Sequence, residues 1–246
     1  LQLQGRTALV TGASSGLGLA CASALAAEGV EVAIASRSEE RLAAAARTID
    51  GDVALIEADV STTAGVDAMV ERAEQELGQV DILIANAGGP PRGNFTETDV
   101  DAYDGALRLN LLSTVAMCKA VVPAMQERKW GRVVAITSIS VREPIGQLIL
   151  SNTARAGVTG FLKTLATEVA GDGITVNSLQ PGMHATARLA EVYGGDLSAP
   201  AAAVPAGFVG DPDDFGAIAA FLCSPHARFV TGAAIPVDGG AAHGLQ

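Results

Sequence analysis

The chain has 246 residues, of which 49% are hydrophobic and 17% charged, and its formal net charge is -11 at pH 7. This composition excludes a disordered or fibrous protein, and the excess of acidic residues argues against binding to nucleic acid or to an anionic membrane. No uncharged apolar run reaches the length of a membrane span and nothing like a linker interrupts the chain, so we expect a single domain over 1–246.

The first predicted strand leads into a glycine-rich turn at 12–18 and then into a predicted helix. Such a turn directs free backbone N–H groups and the positive helix end at one point, where a phosphate can bind. Gly12 suits a tight turn, and the missing Cβ at Gly16 and Gly18 permits close approach of a pyrophosphate and of the next strand. The spacing G-x-x-x-G-x-G in this position predicts nucleotide binding, with tight packing alone as the alternative.

Apolar strand-like runs alternate with helical patterns along the rest of the chain. The strands are continuously apolar, which predicts burial on both faces and therefore an α/β fold, a doubly wound and mostly parallel sheet with helices on both sides. The predicted strands lie near 6–11, 30–36, 53–58, 80–86, 132–138, 173–179 and 234–237. The predicted helices lie near 16–28, 38–48, 62–77, 99–128, 152–170 and 212–223.

Two of these helices, near 99–128 and 152–170, are apolar on more than one face. A second apolar face indicates either a partner subunit or a crowded monomer core. The segment 187–210 is long, rich in Gly, Ala and Pro, and without clear periodicity. We expect a substrate lid there, with a disordered loop as the alternative.

The three cysteines, Cys21, Cys118 and Cys223, are far apart on predicted helices. A thiol in such a position behaves as a small hydrophobe, so we expect reduced cysteines and a cytoplasmic protein. The sequence ahead of the first strand shows no signal-peptide pattern, which agrees with that expectation. The three histidines have no ligand-like spacing, and no metal site is predicted.

Short motifs lie at the predicted strand ends and in the long helix: Thr11-Gly12-x-x-x-Gly16-x-Gly18, Asp59, Asn86-Ala87-Gly88, Asn110, Ser138, Pro181-Gly182 and Asp238-Gly239-Gly240. In this order they resemble the landmarks of a known family, the short-chain dehydrogenases/reductases of the 3-oxoacyl-carrier-protein reductase-like type. The resemblance covers essentially the whole chain. It implies a Rossmann fold with a seven-stranded sheet, a nicotinamide cofactor, and a homotetramer or homodimer.

The end of the second strand predicts which dinucleotide binds. Selection of NAD usually uses an Asp or Glu there, whereas the 2′-phosphate of NADP needs a cation. The chain has Ser36-Arg37, so we expect NADP(H); the alternative is a solvated Arg37 that pairs with Glu40. Asp59 resembles the family residue that binds the adenine amino group, or else helps to cap the next helix. The resemblance extends the cofactor site to Ser14, Ser15, Leu17, Val60, Ala87, Arg155 and Thr186.

The resemblance also implies a set of catalytic residues, of which Ser138 and Asn110 match. The family's Tyr is expected about 13 residues after Ser138 and its Lys four residues further on, where the chain has Ser151 and Arg155. An aliphatic hydroxyl is a far weaker acid than a phenol, and a protonated arginine cannot shuttle a proton.

Three further residues are candidates for the missing chemistry. His184 or Tyr193 is a hypothetical acid, with a plain loop residue as the alternative for His184. Arg142 either binds an anionic substrate or faces solvent. The sequence thus predicts an NADP(H)-dependent oxidoreductase acting on an unidentified carbonyl or alcohol. The alternative is a non-catalytic NADP(H)-binding sensor or partner subunit.

Overall fold

The computed structural model of the protein describes residues 1–244. Seven strands form one sheet in the order β3-β2-β1-β4-β5-β6-β7, and neighbouring strands are parallel throughout. The predicted fold class is confirmed, and the sheet is more uniform than the mostly parallel one expected. The strands are β1 (Thr7–Thr11), β2 (Glu31–Ser36), β3 (Val53–Glu57), β4 (Ile82–Ala85), β5 (Gly131–Ile136), β6 (Ile174–Pro181) and β7 (Ala234–Val237).

Helices connect consecutive strands and cover both faces of the sheet. A buried cluster on one face joins α1, α2 and α9 to the sheet, and a second cluster on the other face joins α3, α5 and α6. The α-helices are α1 (Gly16–Ala27), α2 (Glu39–Ala46), α3 (Thr63–Leu77), α4 (Asp101–Leu107), α5 (Ser113–Arg128), α6 (Ile149–Val169), α7 (Ala187–Val192), α8 (Ser198–Ala203) and α9 (Pro212–Cys223).

The strand order reverses direction at β1, which pairs with β2 on one side and with β4 on the other. The connections that follow β1 and β4 leave toward opposite faces of the sheet, so a crevice opens beyond the carboxyl ends of these two strands. We refer to the residues that follow the carboxyl ends of the strands as the strand-end site. The sheet topology brings there side chains that are far apart in sequence.

Several boundaries differ from the predicted ones for identifiable reasons. The predicted helix near 99–128 is α4 and α5 joined by one π-helical turn, Arg108–Leu112, and such turns often occur at functional sites. The predicted helix near 152–170 begins earlier, at Ile149. The segment 187–210 contains the short helices α7 and α8, which have too few turns to show a period in the sequence. Its role as a lid stays a prediction.

The helical run Asp101–Arg128 is long and apolar enough to cross a membrane by length and composition alone. In the folded domain its apolar side chains, such as Met117, Val121 and Met125, pack against the sheet. Leu112 on the same run is 48% exposed, and Phe161 of α6 is partly exposed. The apolar composition therefore has a folding role, and the homodimer or homotetramer stays a prediction.

The three cysteines are free and buried. Burial raises the pKa of the Cys118 and Cys223 thiols to about 12. These thiols are therefore protonated near neutral pH and behave as the small hydrophobic side chains that were expected.

Candidate active site

The turn between β1 and α1 depends on its glycines. Gly12 and Gly16 have φ values of 58° and 60°, a left-handed conformation that other residues adopt only with strain. A Cβ on Gly12 would lie 2.8 Å from the Asn86 amide nitrogen, and one on Gly18 would collide with the Gly12 carbonyl oxygen. The predicted roles of these glycines in a tight turn and in close packing therefore have a direct geometric basis.

Hydrogen bonds fix this turn to the end of β4. The Thr11 hydroxyl donates to the Asn86 carbonyl oxygen at 2.7 Å and accepts from the Asn86 backbone N–H at 2.9 Å. The Asn86 side-chain amide donates to the Gly12 carbonyl oxygen at 3.2 Å. Ser14 and Ala87 are partly buried beside these residues, and Leu17 packs against the core. The turn is thus held in shape by the protein itself.

Two arginines flank the end of β2. Arg37 is exposed directly after Ser36, whose hydroxyl bonds to the backbone of Ser38. Arg41, in the first turn of α2, donates from Nη2 to the Ser15 hydroxyl in the glycine turn at 3.2 Å. The glycine turn at 12–18 contains no basic residue, and Arg41 was not predicted from the sequence. The signal was its position four residues after Arg37, at the helix end that faces the strand ends.

Asp59 and Val60 follow β3 at the same edge of the sheet. The Asp59 carboxylate accepts a hydrogen bond from the Ser61 N–H at 3.0 Å, which lowers its pKa, and the charge of Arg37 adds to the effect. The side-chain cap of α3 is Thr62, not Asp59. The helix-capping interpretation of Asp59 is therefore wrong, and the adenine-binding role stays a prediction.

The four predicted catalytic residues lie on adjoining elements. Asn110, in the π-helical turn, donates to the Gly88 carbonyl oxygen at 2.9 Å, and its Oδ1 is buried without a partner among residues 1–244. Ser138 follows β5, and its hydroxyl oxygen accepts from the Ser140 N–H at 3.1 Å. Ser151 and Arg155 lie one helical turn apart on α6, both buried.

Arg155 connects α6 to the end of β5. Its Nη1 donates to the carbonyl oxygens of Ile136 and Thr137, both at 2.9 Å, directly before Ser138. Burial, and then the charge of Arg188, lower the pKa of Arg155 to about 10. The guanidinium therefore stays protonated at neutral pH. Arg188 is a second residue that the sequence analysis did not single out.

The segment after β6 lies over the glycine turn. The Gly182 N–H donates to the Val237 carbonyl oxygen, and a Cβ on Gly182 would lie 2.8 Å from Asp238, so Pro181-Gly182 packs closely against β7. Thr186 caps α7, and its methyl group lies 3.5 Å from the place of a Cβ on Gly16. The predicted cofactor residues of β6 and of the glycine turn thus lie side by side.

Comparison with known proteins identifies the family. The family model described as enoyl-(acyl carrier protein) reductase matches residues 12–242. Nodulation protein G of Azospirillum brasilense is 37% identical over 96% of this chain and 97% of the relative. The 3-oxoacyl-(acyl-carrier-protein) reductase FabG of Escherichia coli is 33% identical over 98% of each. The chain belongs to the short-chain dehydrogenase/reductase family.

Solved structures of short-chain dehydrogenases/reductases agree with this assignment. YwfH, an NADPH dependent reductase involved in bacilysin biosynthesis, has a TM-score of 0.93 at 26% identity, over 98% of this chain and 99% of that one. L-sorbose reductase from Gluconobacter frateurii, solved with NADPH and L-sorbose, has a TM-score of 0.92 at 33% identity, over 99% and 98%. These likenesses support oxidoreductase activity of the short-chain dehydrogenase/reductase type.

His184 and Arg142 both contact other residues of this short-chain dehydrogenase/reductase. The His184 ring is 5% exposed, packs edge-on against Phe215 at 5.1 Å between centroids, and lies against Gly210. Its burial contradicts the exposed loop residue of the alternative, and the role as an acid stays a hypothesis. Arg142 donates to the Gln180 side chain and to the Ala234 carbonyl oxygen, so it does not simply face solvent, and its binding of an anionic substrate stays a hypothesis. Tyr193 is 37% exposed at the end of α7, and its role stays a hypothesis.

The burial of His184 predicts a pH effect on stability. Burial lowers its pKa below the ordinary value, while the Gly182 carbonyl and Asp211 oppose the shift. The unfolded chain therefore binds a proton at higher pH than the folded chain, and the free energy of unfolding should fall as pH drops below about 6.5, by at most ~1.4 kcal/mol per pH unit. Urea unfolding between pH 7.5 and 5 measures this slope.

His184→Gln should flatten that slope, whereas His226→Gln at an exposed position should leave it unchanged. Equal slopes in the wild type and in His184→Gln would show that His184 does not carry the effect.

Proposed function

We propose that the protein is an NADP(H)-dependent oxidoreductase that interconverts a carbonyl compound and an alcohol. The observation that carries the cofactor preference is the pair Arg37 and Arg41 at the end of β2, with Arg41 bonded to Ser15 in the glycine turn. Two guanidinium groups beside a phosphate-binding turn, with Ser36-Arg37 where an acidic residue would select NAD, suit the 2′-phosphate of NADP. The NADPH named for YwfH and for L-sorbose reductase supports the same preference.

The residues of the strand-end site fit the dinucleotide. The glycine turn would hold the pyrophosphate. The 2′-phosphate would bind Ser36, Arg37 and Arg41, and the adenine would bind Asp59 and Val60. A Cβ on Gly88 would meet nothing within 4 Å, so the backbone after β4 borders open space in which the nicotinamide ribose would lie. The predicted site is completed by Asn86, Ala87, Arg155, Pro181, Gly182 and Thr186. When bound, the nicotinamide ring supplies or accepts a hydride.

The chain's own residues would stabilise charge on the substrate oxygen. Because the Ser138 oxygen accepts from the Ser140 N–H, the Ser138 proton is available to donate to the substrate carbonyl. We place Ser151 and Arg155 where the family has its Tyr and Lys, Ser151 as a second donor and Arg155 as a fixed positive charge. Neither releases a proton readily at pH 7. The proton would come from solvent, and a water molecule bonded to Asn110 Oδ1 would relay it. Because water is as weak an acid as an aliphatic hydroxyl, turnover should be slow.

Binding and turnover test this proposal together. Fluorescence titration should give a lower dissociation constant for NADPH than for NADH, and NADPH oxidation should be measurable across a panel of ketones and aldehydes. Tight NADPH binding with no turnover on any substrate would favour the non-catalytic sensor or partner subunit. Failure to bind either dinucleotide would contradict both. We keep the cytoplasmic location, the small-molecule substrate and the homodimer or homotetramer as parts of the proposal.

A further inference from the structure

Arg188 lies beside the segment that holds Asn110. Its Nη1 and Nη2 atoms are each 3.0 Å from the place that a Cβ on Gly89 would take, so the guanidinium packs on the backbone of Gly89. The preceding residue, Gly88, accepts the Asn110 amide through its carbonyl oxygen. Arg188 therefore extends from α7 to the residues that border the predicted catalytic groups.

Arg155 brings a second positive charge to the same region. It is 9% exposed, and its hydrogen bonds within residues 1–244 are made through Nη1, to the two carbonyl oxygens that precede Ser138. Its Nε and Nη2 donors have no protein partner in that part of the chain. Burial is the main cause of the lowered pKa of Arg155, and the charge of Arg188 adds to it.

Neither arginine has a carboxylate partner among the described residues, although the chain has 27 acidic side chains against 16 lysines and arginines. Arg6 and Arg128 do approach a carboxylate, that of Asp81. Within residues 1–244 the exposed Arg37 and Arg47 lack one as well, and Arg155 differs from them because it is buried. A buried guanidinium without a counter-charge, as in Arg155, is unfavourable unless an anion binds to it, whereas Arg188 is exposed and therefore solvated. The missing counter-charge points to a ligand.

The pair is also separate from the groups proposed to bind the cofactor phosphates. Arg37 and Arg41 lie at the end of β2, and the glycine turn provides backbone N–H groups. Arg155 instead bonds to the end of β5 directly before Ser138. Arg188 packs on Gly89 after β4, next to the Gly88 carbonyl oxygen that accepts from Asn110. An anion held there would lie next to the reacting carbonyl.

We infer that the carbonyl substrate carries an oxyanion group, a carboxylate or a phosphate, which Arg188 and Arg155 bind. The planar guanidinium fork suits both groups. This inference rests on the proposed function, because it assigns the substrate class to that same site. Arg188, on the segment predicted to be a lid, would contact the substrate from α7, and Arg155 would contact it from α6.

Matched neutral and anionic probes test the inference without turnover. Isothermal titration of the NADP⁺-loaded protein compares acetoacetate with methyl acetoacetate, and glyceraldehyde 3-phosphate with glyceraldehyde. At least one anion should bind about tenfold or more tightly than its neutral analogue, since hydrogen bonds to charged groups are strong. The pair with the larger ratio distinguishes carboxylate from phosphate.

Arg188→Gln should abolish that ratio and leave the NADPH dissociation constant within about twofold. Arg47→Gln is the matched control, because Arg47 is exposed at the far end of α2 and carries the same charge. Equal binding of anionic and neutral probes by the wild type would overturn the inference.

A loss of NADPH affinity in Arg188→Gln, as large as the loss for the anion, would assign Arg188 to the cofactor pyrophosphate and overturn the substrate assignment. If the wild type binds no dinucleotide, the proposed function fails, and the same titrations on the protein alone still decide whether the arginine pair selects anions.

Discussion

Replacing Ser151 and Arg155 together by Tyr and Lys is expected to raise kcat for carbonyl reduction by about 10² to 10⁴-fold, the usual contribution of a general acid. A phenol near a cation loses its proton far more readily than an aliphatic hydroxyl. The two residues lie one turn apart on α6, so the new side chains would share one helix face, and Arg155 bonds to the carbonyl oxygen directly before Ser138. Steady-state NADPH oxidation at saturating substrate measures the gain.

The matched control is Ser151→Phe/Arg155→Lys, which adds the same ring without the hydroxyl. Because Ser151 is 8% exposed, either ring crowds a buried position, and thermal unfolding must show that both variants fold. A gain in the Tyr variant that the Phe variant lacks would support the placement of Ser151 and Arg155 at the family's acid and base positions. Equal kcat values for the Tyr and Phe variants would contradict that placement.

The Arg37→Gln/Arg41→Gln double variant is expected to weaken NADPH binding by about 10² to 10⁴-fold, since each arginine would lose a charge-assisted hydrogen bond to the 2′-phosphate. NADH carries no phosphate at that position, so its dissociation constant should change little. Fluorescence titration of both dinucleotides at one fixed ionic strength gives the two constants.

Arg47→Gln again provides the control for a lost surface charge on the same helix. If NADH binding weakens as much as NADPH binding, the two arginines contact a part common to both dinucleotides, and the argument for NADP fails. The single variants separate Arg37 from Arg41, of which only Arg37 was found from the sequence.

The sequence predicted the sheet well because the central strands are buried on both faces and therefore continuously apolar, while the edge strands β3 and β7 are partly exposed but still mostly apolar. The β4 core, Ile82–Ala85, is an example, and its parallel neighbours follow from the alternation of strands and helices. Short helices were harder to predict. Helices α7 and α8 have six residues each, too few for a periodic pattern to separate them from a loop.

The site was predicted only in part, because the sequence indicates where a residue lies only when the sheet fixes its position. Residues that directly follow a strand, such as Asn86 and Ser138, have their place fixed by the sheet. Arg41 and Arg188 lie on helices, and their contacts with Ser15 and Gly89 depend on how distant segments cross in space. The burial of His184 could not be predicted either, because its packing against Phe215 depends on the tertiary structure and not on a local sequence pattern.

The bonds between Thr11 and Asn86 have a thermodynamic consequence. The hydroxyl of Thr11 both donates to and accepts from the backbone of Asn86, and the Asn86 side chain secures Gly12, all with protein partners alone. The entropy cost of ordering the glycine turn therefore falls on folding and not on ligand association. A dinucleotide arriving at this turn would meet a rigid receptor, and its binding free energy would not be reduced by loop ordering.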